Sequence, residues 1–387
     1  MEIFLLNIKR LLFIFSLLGC FVIVIHGGNT FKYLIFLLSL CSILVSIYKF
    51  RNINFLKNEK GILIPWGPWI LCTIILMFIH GTKDLTQYIN AFLIIGALSA
   101  GLYQFKLERK MLAMFISFGL AIIDSVILLN LYRNGLSDNI LYTNKNLLIP
   151  VVTFQTIALI STLCVHGKEF GKKEIAFFVL IIFFSLVITI LTEVRNAILA
   201  YGACSVVFFI FGDKKTRKFS IHFGLIFISL LFFSYMTGRL QSGIEDLSQL
   251  QKGNAYTSWG LRIEMWKFGL HGFALSPIFG WGANPSDAII ASGIQFPIKT
   301  WHIPHLHSDF IIALATGGLV MVLGWLSTIV SLIKNSMNDL PRLCLLASIL
   351  ATGLVERHWF EQDALFPFVI LWTLFYLTDS SRAQKTV

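Results

Sequence analysis

The chain is poor in charge: 13% of its 387 residues are Asp, Glu, Lys or Arg. A soluble globular domain carries about one quarter. Cysteine is equally uninformative as a framework. The six cysteines (Cys20, Cys41, Cys72, Cys164, Cys204 and Cys344) all lie in apolar stretches without CxxC spacing. That excludes a disulfide scaffold and a cysteine metal site. The sequence also lacks repeats, low-complexity tracts and any polar stretch the size of a soluble domain. What it has instead is apolar: 56% hydrophobic residues, 36 of them Phe, in recurring runs long enough to cross a bilayer.

The expected fold is an all-α polytopic membrane protein. Twelve apolar spans are legible, at about 11–26, 31–48, 62–79, 86–103, 111–131, 147–165, 174–192, 196–211, 219–236, 308–333, 341–356 and 364–378. Leu17-Leu18-Gly19-Cys20 reads as part of the first span rather than as a lipoprotein processing site. The net charge of +11 is topological and does not point to nucleic acid. Of 31 Lys and Arg, 20 fall in alternate loops, from Lys9-Arg10 and Lys106-Arg109-Lys110 through Lys214-Lys215-Arg217-Lys218 to Arg382 and Lys385. The positive-inside rule then places both termini in the cytoplasm and one long loop outside. The expected division is residues 1–236 as nine transmembrane helices, 237–307 as the outer loop, and 308–387 as three more helices and a cytoplasmic tail.

Three outer features carry ionisable groups. Leu191-Thr192-Glu193-Val194-Arg195 joins spans seven and eight with almost no loop. Arg195 there reads either as a local ion pair with Glu193 or as an anion clamp, because a guanidinium fork fits phosphate oxygens in pairs. In the long loop, Trp259, Ile263, Trp266 and Leu270 recur at helical spacing and predict an amphipathic helix on the membrane surface. Arg262 would project away from that stripe. Last, Trp301-His302-Ile303-Pro304-His305-Leu306-His307-Ser308-Asp309 puts three histidines in six residues where an apolar span begins. Their spacing admits a zinc ion, but Asp309 is the only obvious local carboxylate. A histidine there also suits a proton acceptor.

These segments together resemble the bacterial O-antigen ligases, within the group that includes O-antigen polymerases and protein O-oligosaccharyltransferases. The family motif is His, then Asn, Ser or Gln, nine residues, Gly, two residues, and Gly, Thr or Tyr. His307-Ser308 leads over nine residues to Gly318, and the last position departs as Met321. The resemblance implies an inverting, metal-independent glycosyltransferase without a cofactor at the periplasmic face of the inner membrane. It would move O-antigen from undecaprenyl diphosphate to a lipid A–core sugar hydroxyl. His307 would activate that hydroxyl, Arg195 and Arg262 would hold the diphosphate, and Arg239 is a weaker candidate for the same role. His305 and Ser308 would support His307. An O-antigen polymerase or protein O-oligosaccharyltransferase is the nearest alternative, and a lipid-linked sugar transporter a further one.

Overall fold

The computed structural model describes residues 5–16, 37–44, 60–81, 86–102, 107–135, 139–140, 143–192, 194–294, 296 and 306–378. Of two helical pieces, α1 (5–16) overlaps the first expected span and begins before it, and α2 (37–44) falls within the second. Then come α3 (Gly67–His80), α4 (Thr86–Gly101), α5 (Arg109–Asn134), α6 (Lys145–His166), α7 (Lys172–Leu191), α8 (Arg195–Phe211) and α9 (Phe219–Met236). The segment that reads as an outer loop holds α10 (Arg239–Gln251), α11 (Ser258–Leu275) and α12 (Pro285–Ala291). The chain closes with α13 (Asp309–Ser336), α14 (Leu340–Gly353) and α15 (Gln362–Thr378). Asn139–Ile140 pairs antiparallel with Thr143–Asn144 in the turn between α5 and α6.

Among the described residues, five helices are long and apolar enough to cross a membrane: Arg109–Asn134, Leu148–Glu169, Lys172–Leu191, Phe219–Met236 and Asp309–Ser336. Shorter apolar helices cover Ile64–His80, Ile89–Gly101, Asn196–Phe211, Leu340–Gly353 and Ala364–Thr378. The chain is therefore a helical membrane protein, and these ten helices coincide with the third to twelfth expected spans. Burial sorts them. The α6 span is 83% buried and forms the centre of the bundle, whereas the α9 span is 11% buried and faces outward. Where lipid surrounds a bundle, helices associate through close packing and polar contacts rather than the hydrophobic effect. Small and hydroxyl side chains accordingly line α6 (Thr153, Thr156, Ala158, Ser161).

Two features hold the functional region in place. The first is a break inside α13. Gly318 has φ 58° and ψ −148°, a conformation essentially restricted to glycine. The break frees backbone groups, and the turn after α11 takes them up. Trp281 and Gly282 donate to the carbonyls of Ala315 and Thr316 at 2.8 and 2.9 Å, while Leu319 and Val320 donate to Pro277 and Ile278 at 2.8 and 3.2 Å. The glycine of the family motif is thus a docking point between the loop segment and the bundle. A Cβ on Gly318 would lie 2.5 Å from the carbonyl oxygen of Pro277.

The second is the connection 354–361 between α14 and α15. Trp359 stacks on Trp66 with ring centroids 5.6 Å apart and meets Trp69 and Trp325 edge-on at 6.1 and 6.3 Å. Fully buried Asp309, the first residue of α13, accepts the backbone N–H of Trp359 at 2.9 and 3.1 Å and that of Phe360 at 3.3 Å. The connection is fixed from both sides.

Candidate active site

The site is built on the start of α13. Ser308 is its N-cap, buried, with no side-chain capping bond. His307 precedes it with φ +47°, the one non-glycine residue with positive φ among the described residues. Histidine tolerates this conformation better than most residues, and strain of this kind concentrates at functional positions.

The segment 354–361 brings Glu356 to the histidine. Its carboxylate oxygen Oε1 lies 2.7 Å from His307 Nδ1. An ionised carboxylate can only accept, so Nδ1 carries the proton and a neutral ring presents its lone pair at Nε2. The other oxygen of Glu356, Oε2, lies 3.6 Å from Nη2 of Arg262. Glu356 is 4% exposed, His307 21% and Arg262 20%, so the carboxylate forms the floor and the two basic groups reach toward solvent.

Arg262 arrives on α11, capped by the Thr257 hydroxyl, which accepts from the N–H of Gly260 at 3.1 Å. The buried face of that helix is Gly260, Met265, Phe268, Gly269 and Gly272. This corrects the expected surface stripe: Trp259, Ile263 and Trp266 are partly buried and Leu270 is exposed. The cause is glycine, which adds nothing to a hydrophobic pattern yet allows backbones to approach. A Cβ on Gly269 would sit 2.5 Å from Ile311 Cγ2, and one on Gly272 would overlap Ile289. The close fit turns Arg262 toward Glu356 instead of away from the protein. Trp266, one turn later, donates its indole N–H to the carbonyl of His307 at 3.2 Å. Ser258 steadies the guanidinium by accepting from Nη1 at 2.7 Å. Its Nε makes no hydrogen bond among the described residues. The amphipathic helix of this region is α10, whose Leu240, Ile244 and Leu247 form an exposed apolar stripe.

The structure therefore joins two of the expected residues, His307 and Arg262, through a third that the sequence pattern does not single out. The available signal is the charged run Glu356-Arg357-His358 between two apolar spans, on the side assigned to the loop. Ser308 is in place beside His307. Arg195 and Arg239 begin α8 and α10, but their side chains lie outside the described part of the structure, as does His305. Among the described residues no cluster of three or more His, Cys, Asp or Glu is arranged to hold a metal.

A strained histidine, an orienting carboxylate and an arginine at the mouth of a membrane helix define a class of site suited to proton abstraction beside an anionic group. Residues 179–326 match the family model described as O-Antigen ligase. The match spans 148 of the 387 residues, and members of that family are membrane glycosyltransferase-like ligases and polymerases. The match takes in Arg195, Arg239, Arg262 and His307 and stops before Glu356. No curated protein matches the chain.

Proposed function

We propose that the protein is an O-antigen ligase that transfers O-antigen from undecaprenyl diphosphate to a sugar hydroxyl of lipid A–core, at the periplasmic face of the bacterial inner membrane. The observation that carries this reading is the His307–Glu356–Arg262 arrangement inside a membrane bundle. His307 Nε2 accepts the proton of the acceptor hydroxyl as its oxygen attacks the anomeric carbon of the donor sugar. The carbon–oxygen bond to the diphosphate breaks on the opposite face, so the configuration inverts. The electron pair leaves with the diphosphate, whose growing charge Arg262 offsets. The proton passes from His307 to solvent. Glu356 is a positioning residue: it holds the ring in the right tautomer and stabilises the imidazolium that forms.

Arg195 and Arg239 complete the diphosphate site in this reading. Arg195 is the first residue of α8, the end at which a helix dipole favours an anion. His305 and Ser308 support His307. The chemistry needs neither metal nor cofactor. The topology has twelve crossings, with 237–307 periplasmic and both termini cytoplasmic.

The test is complementation of a bacterium that makes O-antigen and the cognate core but lacks its own ligase. A ladder of long chains on lipid A–core supports the reading. Polymer left on its lipid carrier, from a well-expressed chain, transfers the assignment to the polymerases or to protein acceptors.

A further inference from the structure

The turn that docks on the break in α13 belongs to the segment expected to lie wholly outside the membrane, yet its composition suits hydrocarbon. From Phe268 to Ser286 the chain has no Asp, Glu, Lys or Arg. α11 and this turn run alongside the first half of α13 in the same direction. Trp266 donates to the carbonyl of His307, a Cβ on Gly269 would meet Ile311, and Leu319 and Val320 donate to the carbonyls of Pro277 and Ile278. The turn thus reaches the level of Gly318, well inside a helix long and apolar enough to cross a membrane.

Length sets the depth. From Asp309 to Gly318 the helix rises roughly 14 Å, and the 28 residues of α13 span roughly 42 Å, against a hydrocarbon core of about 30 Å. With the excess shared between the two ends, Gly318 and the turn lie roughly 8 Å inside the hydrocarbon. α3 gives the same level. It runs antiparallel beside α13: the Trp69 N–H donates to Thr328 Oγ1 at 3.0 Å, and a Cβ on Gly317 would overlap Leu76. The apolar helix Ile64–His80 therefore continues for one turn past Gly317.

Irregular backbone at such depth needs its polar groups satisfied by protein, because no water is there to do it. The carbonyls of residues 276 to 280 all have protein donors. Ser276 accepts from the Gly280 N–H at 3.0 Å, Pro277 from Leu319 at 2.8 Å and Ile278 from Val320 at 3.2 Å. Phe279 accepts from His80 Nε2 at 2.8 Å, and Gly280 from the Ser276 hydroxyl at 2.8 Å. The outward side chains, in contrast, are apolar: Leu275 is 57% exposed and Ile278 55%, with Phe279 beside them. A turn in water carries polar side chains and leaves carbonyls to the solvent. Exposed Phe78 of α3 and exposed Leu319 and Leu323 of α13 extend the same apolar surface along the bundle.

We propose that α11 and the turn 275–280 form a re-entrant membrane anchor, with Leu275, Ile278 and Phe279 against the acyl chains of bilayer phospholipids. The chain enters and leaves by the same face, so the anchor adds no crossing. It holds α11, and with it Arg262, at a fixed height relative to the bilayer. It does not depend on the chemistry assigned to Arg262 or His307.

The test places the photoreactive residue p-benzoylphenylalanine at Ile278 of the full-length protein, in nanodiscs of one synthetic phosphatidylglycerol. After irradiation, mass spectrometry is expected to find a phospholipid adduct whose new bond is on an acyl chain. The same residue at Lys267, exposed and earlier on α11, gives several-fold less of that adduct. Should the Ile278 variant not fold, Leu275 takes its place with the same expectation. Three results overturn the anchor: no acyl-chain adduct at either position, equal yields at Lys267 and Ile278, or a cross-link from Ile278 to a second copy of the chain.

Discussion

Asp309 and Trp359 lie fifty residues apart, yet both carboxylate oxygens of Asp309 accept the backbone N–H of Trp359, at 2.9 and 3.1 Å. Asp309 is two residues after His307 and Trp359 three residues after Glu356. One buried carboxyl group therefore sets the distance between the proposed base and the group that orients it. Gly353 leaves room for it, since a Cβ there would overlap the Asp309 carboxylate. Asp309→Ala leaves two buried N–H groups without acceptors, which costs about 1–3 kcal/mol each. The expected result is a lowered melting temperature and a fall in turnover greater than any change in donor KM. Unchanged turnover in a folded variant would remove Asp309 from the positioning of the site.

Arg262→Lys keeps the positive charge and loses the guanidinium fork. A lysine supplies a point charge and cannot reproduce the contacts that Arg262 makes with both Ser258 and Glu356. Transfer falls by roughly 10- to 100-fold, for about 1.5–3 kcal/mol per charge-assisted bond. Full activity in the lysine variant would show that charge alone is sufficient.

Gly318→Ala strains the break in α13. The alanine must adopt φ near 58° with its Cβ 2.5 Å from the Pro277 carbonyl oxygen. Backbone strain alone costs about 1–3 kcal/mol. Either the turn 277–282 leaves the helix or the break straightens. Hydrogen exchange reads this directly: the N–H groups of Trp281, Gly282, Leu319 and Val320 lose protection together. Exchange at the wild-type rate would mean that the docking does not depend on glycine.

One pH effect arises at Asp213, in the turn between α8 and α9. The Thr216 hydroxyl and backbone N–H, with the Lys215 N–H, donate to its carboxylate and hold it below the ordinary aspartate range. A carboxylate depressed in the folded state stabilises above its unfolded value, about 3.9. That contribution disappears as pH falls through the lower folded-state value. The turn 212–218 therefore stays ordered in mild acid and loosens only in strong acid, whereas Asp213→Asn exchanges its amides faster at neutral pH. Equal exchange in the two proteins would contradict this.

Much of the helical layout is legible because long apolar runs interrupted by basic loops translate directly into helices. His307 and Arg262 are legible for a related reason: ionisable residues at the mouths of apolar segments are few. Glu356 is not, because it occupies the last position of an apolar run, 49 residues from its partner, where no local spacing betrays a contact. The face of α11 differs from its hydrophobic pattern because Gly260, Gly269 and Gly272 pack closely without registering as hydrophobic. Asp309 reads from the sequence as a possible metal ligand, although it accepts the backbone N–H groups of Trp359 and Phe360.

The central claim is that His307, oriented by Glu356, is the base for glycosyl transfer. The most direct measurement compares wild type, His307→Ala and Glu356→Gln at equal expression in a ligase-deficient host with the cognate core, reading the lipopolysaccharide ladder on a gel. The account predicts a full ladder for wild type and none for His307→Ala, since general-base assistance contributes about 10²- to 10⁴-fold. Glu356→Gln gives a faint ladder, because the ring keeps a hydrogen-bond acceptor and loses the charge beside it. A wild-type ladder from His307→Ala would contradict the account.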